Sequence, residues 1–183
     1  MFRTRQNGSF GSMLRLRPTT LKRLQGSLSV DEASPLLRAF LADREIVTAA
    51  CACLLRTLKA HDDTAMPDPF VLLDLLRAHA SDVDVLHYGC RVLLLAARHP
   101  HSCDLLVQKG APESLVAVLR NHPTESRLQG IVCQVLCVLA TTLTNQAQVV
   151  NACGLEMAAT AQRGHLADAG VQCDRYARIY LSD

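Results

Sequence analysis

Histidines and cysteines are the residues of this chain whose types and spacing could do chemistry. His79, His122 and His165 stand in the stretches Leu76-Arg77-Ala78-His79, Leu119-Arg120-Asn121-His122 and Gln162-Arg163-Gly164-His165, at a step of 43 residues. Three imidazoles on one ridge would make a pH-sensitive or metal-binding strip. Helices stacked about 10 Å apart cannot bring them to one zinc, whose nitrogen ligands sit about 2.0 Å from the metal. At a helix C-terminus a His instead favours the dipole and bonds the last carbonyls, and capping is the role expected here. His99, His101 and Cys103 alternate around Pro100, with His87 and Cys90 upstream. That spacing matches no paired Cys-x-x-Cys or His-x3-His arrangement, so no metal ligand is assigned, and a zinc-binding helical protein is only an alternative reading. Cys133 and Cys137 lie one helical turn apart, as core residues do.

Catalytic patterns do not emerge. Gly8-Ser9-Phe10-Gly11 is not a Gly-x-Ser-x-Gly elbow. No Gly-x4-Gly-Lys-Ser/Thr phosphate loop occurs. The acid pairs Asp62-Asp63 and Asp82/Asp84 fall in turns, where carboxylates cap helices or solvate the surface. The expectation is a non-enzyme without a cofactor.

The elements that carry these residues follow from the same ruler. A fourth copy, Leu37-Arg38-Ala39-Phe40, precedes the first by 39 residues, with Phe in the His place. Cys51 and Cys90 share that 39-residue offset, and Cys90 and Cys133 share the 43-residue one. Two motifs with common offsets indicate an internal repeat. Apolar spacing near 3.6 predicts helices at about 35–41, 45–59, 70–79, 83–98, 102–109, 112–121, 127–143, 146–153, 155–163 and 171–181. The first opens on Asp31-Glu32-Ala33-Ser34-Pro35, with acids and Pro in its first turn. The repeats are about 31–60, 61–98, 99–143 and 144–183. Each is a medium helix, a tight turn and a long helix, preceded by a short helix in the later copies.

Composition sets the outer bounds. The chain has 183 residues, no Trp and only 4% aromatics, so its core is built of Leu, Val, Ala and Cys. Its apolar runs, such as Val92 to Ala97, are far short of a membrane span. All 17 acidic residues follow residue 30, whereas Arg3, Arg5, Arg15, Arg17, Lys22 and Arg23 precede it. Residues 1–30 read as a basic tail, disordered or a targeting segment. Leu14, Leu21, Leu24 and Leu28 could form an apolar stripe there, interrupted by Pro18. The composition fits a mitochondrial presequence; the other reading is a polar tail or a cap on the first repeat. Eight cysteines without a secretory segment imply a reducing, cytoplasmic setting, with a mitochondrial one as the alternative.

A family resemblance rests on three segments. Leu106-Val107-Gln108-Lys109-Gly110-Ala111-Pro112-Glu113-Ser114-Leu115-Val116 and Val149-Val150-Asn151-Ala152-Cys153-Gly154-Leu155 each show a short helix closed by Gly. Asp168-Ala169-Gly170-Val171-Gln172 looks like the start of a third helix. In these the chain resembles armadillo repeats over residues 34–183. The resemblance implies an all-α, right-handed α-solenoid of about four armadillo-like repeats, whose third helices line a groove for peptides or helices. Family members that bind basic nuclear-import peptides carry Trp and Asn on the third helix. Here the Trp place holds Ala52, Arg91, Gln134 and Ala177, and the Asn place holds Arg56, Leu95, Val138 and Leu181. Such peptides are therefore not expected as ligands.

The functional expectation is a protein-interaction scaffold or adaptor that presents Arg56, Arg91, Leu95, Gln134 and Val138 to a partner peptide or amphipathic helix. The alternative is a structural subunit of a larger assembly, mitochondrial or RNA-containing. An Arg38, Arg77, Arg120 and Arg163 ridge could track phosphates. The net-acidic body and scarce aromatics argue against nucleic acid. End-to-end association through the C-terminal repeat is a further expectation, drawn from the apolar Tyr176, Ile179 and Tyr180.

Overall fold

The computed structural model describes residues 7–26, 28–60, 67–141 and 144–152, and among these there are helices and no strand. The elements are α1 (Asn7–Gln25), α2 (Val30–Ala39), α3 (Arg44–Ala60), α4 (Pro69–Ala78), α5 (Val83–Ala96), α6 (Pro100–Gln108), α7 (Ala111–Asn121) and α8 (Ser126–Leu139). Residues 144–152 are helical as well.

Local chemistry fixes the starts. Ser29 accepts from the Glu32 backbone N–H at 3.3 Å while its own N–H donates to the Glu32 carboxylate at 3.2 Å, a reciprocal cap. That cap starts α2 at Val30, five residues before the expected Pro35, and leaves Pro35 inside the helix. Asp68 accepts from the Phe70 N–H and Pro69 opens α4, where its missing N–H is harmless. Asp82 accepts from the Val85 N–H at the start of α5. Between α6 and α7 the chain turns at Gly110, whose φ of +80° lies in the left-handed region that glycine enters without steric cost.

The helices lie in two layers. The long helices α3, α5 and α8 pack side by side in that order, and α2, α4 and α7 cover them, each packed on the long helix that follows it in the chain. Helix α6 fills in beside α4, α7 and α8. The arrangement is compatible with an α-solenoid. Leu54, Leu72, Leu86, Leu93, Leu115 and Leu128 are fully buried between the layers. Each such burial contributes about 1.5–3 kcal/mol. Cys51, Cys90 and Cys133 occupy one register on the three long helices and are all buried. Gly89 lets α4 close on α5: a Cβ there would fall 2.7 Å from Leu75 Cδ2.

Residues 7–25, read from the sequence as tail, form α1, which packs against α3. Arg17 meets Asp43 and Glu45 at the start of α3, and the end of α1 reaches Arg56 late in α3, so the two helices run in the same direction. Helix α1 therefore extends the long-helix layer at its N-terminal side. Its Leu21 is partly buried and Leu24 and Leu28 are buried, so the apolar stripe found in the sequence has α3 as its counterpart. The chain before residue 7 and after 152 lies outside the described residues, including His165, the Asp168–Gln172 segment and the C-terminal face expected to associate end to end.

His79 and His122 are the C-cap residues of α4 and α7, as expected, their backbone N–H groups donating to the Leu75 and Val118 carbonyls, but their side chains reach beyond their own helices. The His79 Nε2–H donates to the Leu41 carbonyl at 2.7 Å, and the His122 Nε2–H to the Ala80 carbonyl at 2.7 Å. Leu41 and Ala80 are equivalent positions in the turn of the preceding hairpin. Each His thus ties one hairpin turn to the turn before it, and Phe40, in the first hairpin, packs on the core instead.

Two outcomes follow. His79→Ala costs about 1 kcal/mol, and His122→Ala costs less, because Ala80 is exposed and its carbonyl can bond water; urea unfolding midpoints measure both. The hydrogen bond from Arg17 holds the Asp43 carboxyl below its ordinary range, helped by the N–H groups of Ile46 and Glu45 and opposed by partial burial. A depressed carboxyl stabilises the fold above its unfolded value of about 4 and loses that contribution as pH falls through the lower folded value. Acid titration of stability is therefore steeper below about pH 4 in the wild type than in Asp43→Asn.

Candidate functional site

The five residues singled out by sequence fall on α3, α5 and α8, at matching positions of neighbouring helices. Arg56, Leu95 and Val138 form one row; Arg91 and Gln134, with Ala52, form the next. A third row one turn earlier holds Ala49, Tyr88 and Ile131. Leu95, Val138, Tyr88 and Ile131 are half-buried, each packed on the core beneath and open above. The face between α5 and α8 is therefore an apolar strip edged by Arg91 and Gln134.

Arg56 also holds α1. Its guanidinium donates to the carbonyls of Leu24 at 2.9 Å and Gly26 at 3.4 Å. Those are C-terminal carbonyls of α1 left without helical partners. Beside it the Thr57 hydroxyl donates to the Leu28 carbonyl at 2.9 Å. Arg56 anchors α1 while staying exposed at the α3 end of its row. The sequence could show the cation and the stripe, but not that α1 folds onto it.

Sequence reasoning passed over Tyr88, Ile131 and Arg127. Tyr88 packs edge-on to His87, with ring centroids 6.2 Å apart, and the Arg91 guanidinium lies 6.0 Å from the Tyr88 centroid. The His87 imidazole is pushed below its ordinary pKa, first by burial and then by the charges of Arg91 and Arg127, with Asp84 opposing. The register available from Cys90 and Cys133 would have identified Tyr88 and Ile131 as another matched row.

Cys103 is buried under α8, its thiol directed at the Val138 and Leu139 carbonyls, while His101 is exposed. Among the described residues no group of three or more His, Cys, Asp or Glu side chains could hold a metal, and no helix is long and apolar enough to cross a membrane. On the opposite layer an open concavity of about 500 Å³ lies between α4 and α7, over Leu76, Ala80, Gly110 and Ala117.

No family model, curated protein or solved structure matches the chain.

The cysteines beneath the strip are inert packing. Burial pushes the Cys51 thiol up to about 12, and burial together with the neighbouring Cys51 pushes Cys90 to about 12. The thiolate is the reactive form. At about pH 8 Cys51 and Cys90 stay unmodified by a soluble alkylating reagent and react once urea unfolds the chain, as peptide mapping by mass spectrometry would show.

Proposed function

We propose that this chain is a non-enzymatic protein-interaction scaffold or adaptor, an armadillo-like right-handed solenoid whose long-helix face receives a partner peptide or helix. The observation that carries the reading is the matched, half-open apolar rows Tyr88/Ile131 and Leu95/Val138 on adjacent helices. Scattered apolar residues on a surface need no explanation, whereas a contiguous strip edged by polar groups marks an interaction site. Helix α5 is packed between α3 and α8, and α8 is packed on α5, α6 and α7, so in this reading the strip is preformed and binding needs little ordering of the receptor. Arg91, Leu95, Gln134 and Val138 are the binding residues in this reading, joined by Tyr88 and Ile131.

The test is affinity purification with mass spectrometry, comparing the wild type with an Arg91→Glu/Leu95→Asp variant whose helicity by circular dichroism is unchanged. Partners recovered by the wild type should be lost from the variant. Recovery of the same set at the same level would refute the reading.

A further inference from the structure

Several arginines of this protein are engaged by acids or carbonyls and others are not; of the latter, Arg120 lies on the opposite layer, while Arg91 and Arg127 share the α5/α8 face. Arg17 is held by Asp43 and Glu45, Arg38 by Asp68, and Arg44 by Asp82 and Asp84. Arg56 is occupied by the carbonyls of α1. Arg23 lies near Glu32, and Arg77 near Asp74. On the α5/α8 strip, by contrast, Arg91 and Arg127 have no acidic partner among the described residues. Asp84, on α5, is paired with Arg44 on α3. Arg98, just past the end of α5 on the stripe of Arg91 and Leu95, also lacks one.

We infer that the α5/α8 strip is built for an acidic amphipathic helix, whose apolar stripe lies on Tyr88, Leu95, Ile131 and Val138 and whose carboxylates meet Arg91 and Arg127. This deepens the proposed function and rests on it. Charge complementarity selects the sign of the partner: a basic segment would face two uncompensated guanidiniums at close range, and like-charge juxtaposition is costly. His87 is lowered first by burial; the charges of Arg91 and Arg127, both close enough to act on it, add to that, with Asp84 opposing. The conformation follows from the polar groups on offer. An extended peptide needs its backbone N–H and C=O groups satisfied by the receptor. The strip presents few neutral polar groups, the Gln134 amide and the Tyr88 hydroxyl, among apolar and cationic side chains. A helix satisfies its own backbone and asks only for apolar contact and flanking charge.

The test uses the full chain and two synthetic probes of about 16 residues, roughly 24 Å when helical. One carries Leu at i, i+3, i+4 and i+7 with Glu on the flanks; the other has Lys in place of every Glu. Fluorescence anisotropy should show the Glu probe binding at least about tenfold more tightly than the Lys probe. Arg91→Glu/Arg127→Glu should erase or invert that preference, whereas Arg120→Glu on the opposite layer should leave it unchanged. Equal affinity for both probes, abolished by Leu95→Asp, would overturn the acidic preference and leave the docking face standing. Binding of the Glu probe that is indifferent to Leu95→Asp and to the double charge reversal would overturn the face as well. Failure of both probes to bind overturns the inference.

Discussion

The constraint on which everything else in this molecule depends is that its hairpins are apolar on more than one side. Helix α5 buries Val85, Leu86, Cys90, Val92 and Leu93, which is more than α4 alone can cover. It must lie between α3 and α8, and those helices face the same requirement. Repeat stacking is the solution available to a unit that cannot bury its own surface. The small buried cysteines at one register of the three long helices suit close approach, and Gly89 does the same between α4 and α5. Helix α1 gives α3 a neighbour on the side away from α5.

Polar contacts then set the register that apolar burial leaves loose. Hydrophobic contact is not directional, so two long helices could slide along one another at small cost. Asp43 and Asp82 each cap a long helix and also receive an arginine from the neighbouring helix, Arg17 on α1 and Arg44 on α3. His79 and His122 tie successive turns at the same end. Buried Gln129 closes the last of these hairpins, its amide donating to the Leu119 and His122 carbonyls at 2.9 and 2.8 Å. The end of the array that holds the turns is therefore the rigid one, and the α5/α8 strip starts from it.

Much of this was legible in the sequence, for a physical reason. Helix positions followed from the 3.6-residue apolar spacing and from local punctuation by Asp68-Pro69, Ser81-Asp82 and Gly110, all of which act over a few residues. Register followed from Arg and Cys offsets because equivalent places in a stack need equivalent side chains. What was not legible depends on long-range partners. Helix α1 was masked by Gly8, Gly11 and Pro18, which weaken a helix locally, while the surface that stabilises it sits on α3. The early start of α2 was available in Ser29 and Glu32 and was overlooked. The target of each His is a carbonyl, and a carbonyl has no residue type to read. Arg56 is the sharpest case: its row placed it beside Leu95 and Val138, yet it has a further task because only there does α1 lie within reach.

One regularity of the hairpins bears on how such a chain can change over generations. The same number of residues separates Arg38 from Cys51, Arg77 from Cys90 and Arg120 from Cys133, while the offset between successive hairpins shifts from 39 to 43. The length difference thus falls after the long helix, where α6 stands in the third repeat, and not in the turn between the Arg and Cys positions. A hairpin of fixed length with an elastic connector is a module that can be duplicated, swapped or lengthened at its seams without disturbing the neighbours it stacks on. For an engineer the same boundaries are the places to cut: grafting a loop at the connector changes what the molecule carries, whereas grafting one at the turn would dismantle it.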